Sequence, residues 1–228
     1  MASSATSPAA RHPDANAILG RLPASGLAHA RRPMAAAEAL HLLRAERLAV
    51  PRIAVGVHAV VAADACRLVI ANGTQLTFDA PRPETARASH VLAAAWTLGE
   101  GLSAAVSREF AARRYVRAQM LDDLGTALLF RLAERLFARA ASRAARSGTS
   151  LGSPLAPGDT ALGLSMLAPV LDLARAGRAG IRLVEAGAMW PPKSGAAVAL
   201  VGTDLSAVHS DWDCTACRSA DGCRWRPR

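Results

Sequence analysis

Aromatic side chains are scarce: they make up 4% of the 228 residues, and Tyr115 is the only tyrosine. A core must therefore be built from Ala, Leu and Val, within a hydrophobic share of 51% and a mean hydropathy of +0.17. Lysine is nearly missing, since Lys193 is the single lysine among 27 Lys+Arg. No run of ~18 uncharged apolar residues occurs, because Asp64 interrupts the best candidate between Ile53 and Ala71, and a membrane-spanning helix is not expected. Met1 to Asn16 is rich in Ala, Ser and Pro, but it has no continuous apolar stretch and contains Asp14. It does not read as a secretory signal. A cytoplasmic protein is expected, with its 4 cysteines reduced.

Positive charge is what the chain has in excess: 27 Lys+Arg against 18 Asp+Glu give +9, with a pI near 11.0. Such a balance points first to nucleic acid. A phosphate-binding face gathers its basic residues, whereas these run from Arg11 to Arg228. A nucleic-acid partner is therefore not expected. The length suits one domain of ~100–200 residues with tails. The composition divides it into a disordered lead (1–33), a folded body (34–203) and a cysteine-rich tail (204–228).

Within the body, Met34–Leu48 reads as a helix ended by Pro51, and Ile53–Val61 and Arg67–Ala71 read as strands. Asn72-Gly73 then lies between Leu68-Val69-Ile70 and Leu76-Thr77-Phe78, the signature of a hairpin with a type I′ turn. His90–Thr97 reads as a strand closed by Leu98-Gly99. Leu102–Ala145 is helical throughout, with a joint predicted at 112–114 and Gly125 marking a break or a close packing point. A turn-rich stretch, Ser147–Thr160, leads to a predicted helix at Ala161–Ala176 with Asp159 or Thr160 as N-cap. A strand at Ile181–Ala186, a loop at Trp190–Gly195 and a strand at Ala196–Val201 follow. The predicted class is α+β, a mainly antiparallel twisted sheet with flanking helices.

Three places carry chemistry. In the tail, Cys214 and Cys217 form a C-x₂-C pair followed by Cys223, a spacing that suits zinc or an iron–sulfur cluster. His209 or Cys66 would complete four ligands; the alternative is a set of inert or redox-labile thiols. The loop holding Ser153, Gly158 and Asp159 leads towards a helix N-terminus, which offers free N–H groups to an anion, or is a plain junction. Glu185 falls in an apolar strand, where it accepts bonds from an ammonium or a ribose hydroxyl, or else faces outward. Lys193 follows Pro191-Pro192 and meets a carboxylate or phosphate, or is solvated. Asp122 and Asp123 are helix neighbours that point apart, and His41, His58 and His90 read as structural.

Several segments together resemble the activation domain of cobalamin-dependent methionine synthase and its short stand-alone relatives. Glu185-Ala-Gly-Ala-Met189-Trp190-Pro191 resembles the family's Thr-Glu-Ser-x-x-Met-Trp-Pro segment, and Pro192-Lys193-Ser194 resembles the Pro-x-Lys-Ser of stand-alone forms. Thr97-Leu98-Gly99, Val106-Ser107 to Phe110, Tyr115 and Leu121-Asp122 match the passage from strand to long helix. Ser153-Pro154 with Gly158-Asp159 is similar to the Ser-Pro-Gly-Tyr-Gly-Asp loop, one residue longer. The cysteine tail is similar to that of the stand-alone forms.

The resemblance implies a ligand site for S-adenosylmethionine made of Ser153, Gly158, Asp159, Glu185, Met189, Trp190, Lys193 and Ser194. It implies a corrinoid protein or corrinoid-dependent methyltransferase as partner, whose cobalamin is reductively methylated with electrons from a donor such as flavodoxin, in methionine biosynthesis. The family's loop carries an arginine before it and a tyrosine after its Pro-Gly; Leu151-Gly152 and Leu155-Ala156 stand in those places here. Those departures keep a second reading open: a non-catalytic, metal-binding interaction protein derived from the family.

Overall fold

The computed structural model describes residues 33–159, 161–185 and 187–205. The lead before residue 33 and the cysteine tail, with Cys214, Cys217, Cys223 and His209, lie outside the described residues, as do Thr160 and Ala186.

Ten-residue stretches of Ala and Val are short for a helix pair but long enough to cross a sheet, and they form its centre. The strands are β1 (Arg52–Asp64), β2 (Arg67–Ile70), β3 (Gln75–Thr77), β4 (Ala88–Thr97), β5 (Ser150–Leu151) and β8 (Ser194–Gly202), in the order β3-β2-β1-β4-β8-β5, every pair antiparallel. A separate hairpin joins β6 (Arg182–Leu183) to β7 (Met189–Trp190). On β4, Leu92, Ala94 and Trp96 enter one core while Val91, Ala93 and Ala95 enter the other. Both faces are covered, which is why β4 reads as a continuous apolar run rather than an alternation.

Helices α1 (Pro33–Ala45), α2 (Glu100–Ala111) and α3 (Tyr115–Arg146) cover the first face through Leu43, Leu102, Leu121, Leu128 and Leu132. On the second face, α4 (Leu167–Ala174) packs with the β2–β3 hairpin through Val170, Leu173, Leu68, Ile70 and Leu76. Small side chains let these layers come close. A Cβ at Gly56 would overlap the carbonyl oxygen of Leu173 at the end of α4.

The joint predicted within the long helical stretch is present: α2 ends at Ala111, α3 begins at Tyr115, and Arg113 turns the chain at φ 57°. Gly125 lies inside unbroken α3 and is a packing point. Four elements differ from the sequence reading. The 72–73 turn is a three-residue loop in which only Gly73 has positive φ (87°), with Gly73 N–H bonded to Ile70 O and Ile70 N–H to Thr74 O. A type I′ turn needs positive φ at both centres, and Asn72 instead accepts the Thr74 N–H at 3.1 Å.

The helix expected over 161–176 is a 3₁₀ turn (Leu164–Met166) followed by the eight residues of α4. Pro169 has no N–H and fits only the first helical turn, so α4 cannot begin much earlier. Asp159 does not cap it; Met166 stands at the N-cap and its side chain makes no capping bond. The strand expected at Ile181–Ala186 is only Arg182–Leu183, and Glu185 sits in the turn beyond. The expected loop at Trp190–Gly195 shrinks to three residues between β7 and β8.

Candidate functional site

The start of β8, the end of β4, the first turn of α2 and the middle of α3 meet at one corner. Lys193, the residue before β8, reaches α3 there. Its Nζ donates to Asp122 Oδ1 at 2.8 Å and Thr126 Oγ1 at 2.9 Å, and the side chain is 15% exposed. Gly125 lies between these two partners, and a Cβ there would stand 3.5 Å from Lys193 Cε and inside the Leu102 side chain. The lysine stem thus passes over the one position of α3 without a side chain. Replacing Gly125 by Leu is expected to lower stability by about 1–3 kcal/mol through overpacking. Urea unfolding checks this, and an unchanged midpoint would mean that Leu102 and Lys193 simply move aside.

The neighbouring groups are also tied. Ser194 is buried, with Oγ 2.6 Å from Pro191 O and 2.9 Å from Thr97 Oγ1. Thr97 Oγ1 donates to Lys193 O at 3.1 Å and accepts from Gly99 N–H at 3.1 Å. Trp190 Nε1 donates to Glu100 Oε1 at 2.9 Å. Lys193 and Ser194, two of the expected ligand contacts, therefore fix the loop, while Trp190 and Met189 are half-buried on the hairpin beside it.

That hairpin borders a cleft of about 440 Å³ lined by Leu171, Asp172, Arg175, Arg178, Ile181 and Arg182, among others. Its volume lies within the ~300–1,000 Å³ of small-molecule sites. Arg182 stacks over Trp190 at 5.9 Å from the ring centroid. Among the described residues, neither the three arginines nor Asp172 enters an ion pair. The cleft thus sets apolar surface beside groups of both signs, the three arginines and Asp172.

The other expected contacts lie apart. Glu185 is exposed at the hairpin tip, where Val184 N–H bonds Ala188 O at 2.9 Å. It is not in a buried strand, because Gly187 (φ 72°) turns the chain there. Ser153 follows Gly152, whose N–H bonds Leu200 O at 2.8 Å. That point is six residues along β8 from Ser194, or roughly 20 Å at ~3.4 Å per residue. Gly158 (φ 98°) bonds Leu162 O at 2.7 Å, and Asp159 Oδ2 accepts from Ala156 N–H at 3.3 Å. The loop closes on itself, and α4 starts eight residues after Asp159, so the anticipated anion cradle at a helix N-terminus is not formed there.

Asp122 and Thr126 are the site residues that sequence reasoning missed. Asp122, Gly125 and Thr126 at i, i+3 and i+4 share one helix face, and that spacing was the available signal. Cys66 is exposed and free at the β1–β2 turn. Among the described residues, no three His, Cys, Asp or Glu side chains gather as metal ligands would, and no helix is long and apolar enough to cross a membrane.

At the far end of α2 lies a cluster of one carboxylate and two arginines. Buried Glu109 accepts from Arg114 Nε at 2.7 Å and Arg114 Nη2 at 2.9 Å, and also from Arg117. The Arg114 bonds, helped by Arg117 and opposed by burial, hold its carboxyl down at about 2.

No family model matches the sequence, and no curated protein matches it. Among solved structures, the chain is similar to the crystal structure of the MetH reactivation domain bound to AdoHcy, with a TM-score of 0.62 and 19% identity over 85% of this chain and 71% of that one. The chain thus has the α+β fold of that domain, a curled antiparallel sheet with flanking helices.

Proposed function

We propose that this chain is an accessory, reactivating domain for a corrinoid-dependent methyltransferase. The observation that carries the reading is the fold it shares, across most of its length, with a reactivation domain solved with AdoHcy. In this reading the chain holds S-adenosylmethionine while a partner supplies cobalamin and a separate donor supplies one electron. Cobalamin, bound by the partner, would supply the reduced cobalt that accepts the sulfonium's methyl group, with S-adenosylhomocysteine left on this chain. The chain's own contribution is positioning.

The cleft beside the β6–β7 hairpin suits such a ligand. Asp172 complements its ammonium, Arg182 or Arg175 its carboxylate, and the Trp190 ring offers apolar surface next to Arg182. Lys193 and Ser194 act by fixing the loop behind Trp190.

Calorimetric titration of the full chain with S-adenosylmethionine and S-adenosylhomocysteine tests this. Saturable binding is expected, weakened by roughly tenfold or more in Arg182→Ala, the loss of about 1.4 kcal/mol that one charge-assisted contact gives, and weakened also in Trp190→Ala through lost apolar contact. No binding of either ligand, with or without cob(II)alamin, would overturn the proposal. The second reading, a non-catalytic protein that binds zinc or an iron–sulfur cluster through Cys214, Cys217 and Cys223, is favoured by one observation: Leu151-Gly152 and Leu155-Ala156 stand where the family's loop carries its arginine and tyrosine. Metal in anaerobically purified protein, together with no ligand binding, would support it.

A further inference from the structure

The arginines that look scattered along the sequence gather in space on the C-terminal half of α3. Arg131, Arg135, Arg139 and Arg143 follow one another at i+4, and Arg146 comes three residues later. At ~100° and ~1.5 Å per residue, these five span an arc of roughly 120° and about 22 Å of helix. Arg139, Arg143 and Arg146 are exposed and Arg135 is half-buried. Arg131 pairs with Glu134 at 2.7 Å; among the described residues the other four enter no ion pair. From Arg135 to Arg146 the helix contains no acidic residue.

Helix stability does not account for this stripe. Cations favour a helix C-terminus only within the last turn, which covers Arg143 and Arg146. Like charges at i+4 further back weaken a helix. The neighbouring helix α1 adds Arg44 and has Glu38 as its one acid, and Glu46, just past its end, is already bonded to Arg108 at 3.1 Å.

We propose that this stripe is a docking surface for an acidic face of a partner protein, a helix bearing carboxylates at four-residue intervals. The arginine spacing of about 6 Å equals the rise between i and i+4 carboxylates on such a helix, and each guanidinium can pair with a carboxylate through two parallel bonds. Lipid fits less well, because the small residues between the arginines, Ala138, Ser142 and Ala145, supply no apolar anchor. Nucleic acid also fits less well. Four unpaired arginines reach about four phosphates, fewer than the ~6–10 contacts of strong backbone binders, and the stripe holds no aromatic for base stacking. A protein encounter needs only a few such charges to steer and orient it. Nothing in this proposal depends on the cleft, so its failure leaves the S-adenosyl reading standing, and the reverse holds too.

The test uses the full chain and a labelled, alanine-rich helical peptide with Glu at every fourth position, followed by fluorescence anisotropy. Binding that falls with added salt is expected. The Arg135→Glu/Arg139→Glu/Arg143→Glu triple should weaken it by roughly tenfold or more. A charge-matched triple elsewhere, Arg52→Glu/Arg67→Glu/Arg87→Glu, at exposed positions outside both α3 and the cleft, should bind like wild type. Circular dichroism checks folding, and the Arg→Gln triple at the same three α3 positions carries the comparison if the Glu variant is unfolded. Equal losses in the two triples, no binding by wild type, or tighter binding to a short DNA duplex than to the peptide would each overturn the proposal.

Discussion

Trp96→Ala is expected to lower the unfolding free energy by about 3–5 kcal/mol, the range for removing a large buried aromatic. Trp96 is 4% exposed on β4, directly opposite Gly195 on β8. A Cβ at Gly195 would lie 2.6 Å from the indole Cε2 and Cζ2, so the glycine leaves the space that the ring fills. On its other side the ring meets Phe137 of α3 edge-to-face, with centroids 5.9 Å apart. In a chain with few aromatics, this contact bridges the sheet to the long helix. The adjoining positions Ala94, Ala197 and Ala199 are too small to close the void. At ~2–4 °C per kcal/mol for a domain of this size, the melting temperature should fall by about 10 °C. Thermal and urea unfolding measure this directly. A loss under about 1 kcal/mol would mean that the layers collapse onto the gap.

The fold was legible where one segment carries its own instruction. The apolar runs at His90–Thr97 and Ala196–Val201 are strands because they are too short for helices and end at glycine or polar residues. The α2–α3 joint was legible because a helix over 44 positions would exceed ordinary lengths. The reading failed where a distant partner or a single residue decides. Pro169 confines α4 to a late start, and Gly187 moves Glu185 from a strand to a turn. Lys193 stood out as the only lysine, yet its role depends on Asp122 and Thr126, some seventy positions earlier, brought there by the α3 direction. The arginines illustrate the same limit: in linear order they look dispersed, and only the helical period of α3 aligns them.

That α3 direction is set at the α2–α3 joint, where Glu109 provides the second large effect. Its carboxyl is lowered from 4.5 to about 2, first by the Arg114 bonds and then by Arg117, against burial. A carboxyl whose folded value lies below its unfolded one stabilises the fold above the unfolded value and loses that contribution as pH falls through the folded one. Its contribution should therefore be complete above about pH 4.5 and fade towards pH 2. Glu109→Gln is expected to cost about 1.5–3 kcal/mol at neutral pH, the range for bonds to charged groups. The larger cost of breaking a fully buried pair does not apply, because Arg114 is 49% exposed and Arg117 30% exposed, so both remain solvated when the charge is removed. Urea unfolding of both proteins from pH 7 to pH 2 should show the gap shrinking to nearly nothing, and a gap independent of pH would rule out the carboxylate as its source. Arg114 N–H also bonds Glu109 O at 3.0 Å, across Arg113 at φ 57°, so side chain and backbone of one residue pin the turn from which α3 departs towards Lys193.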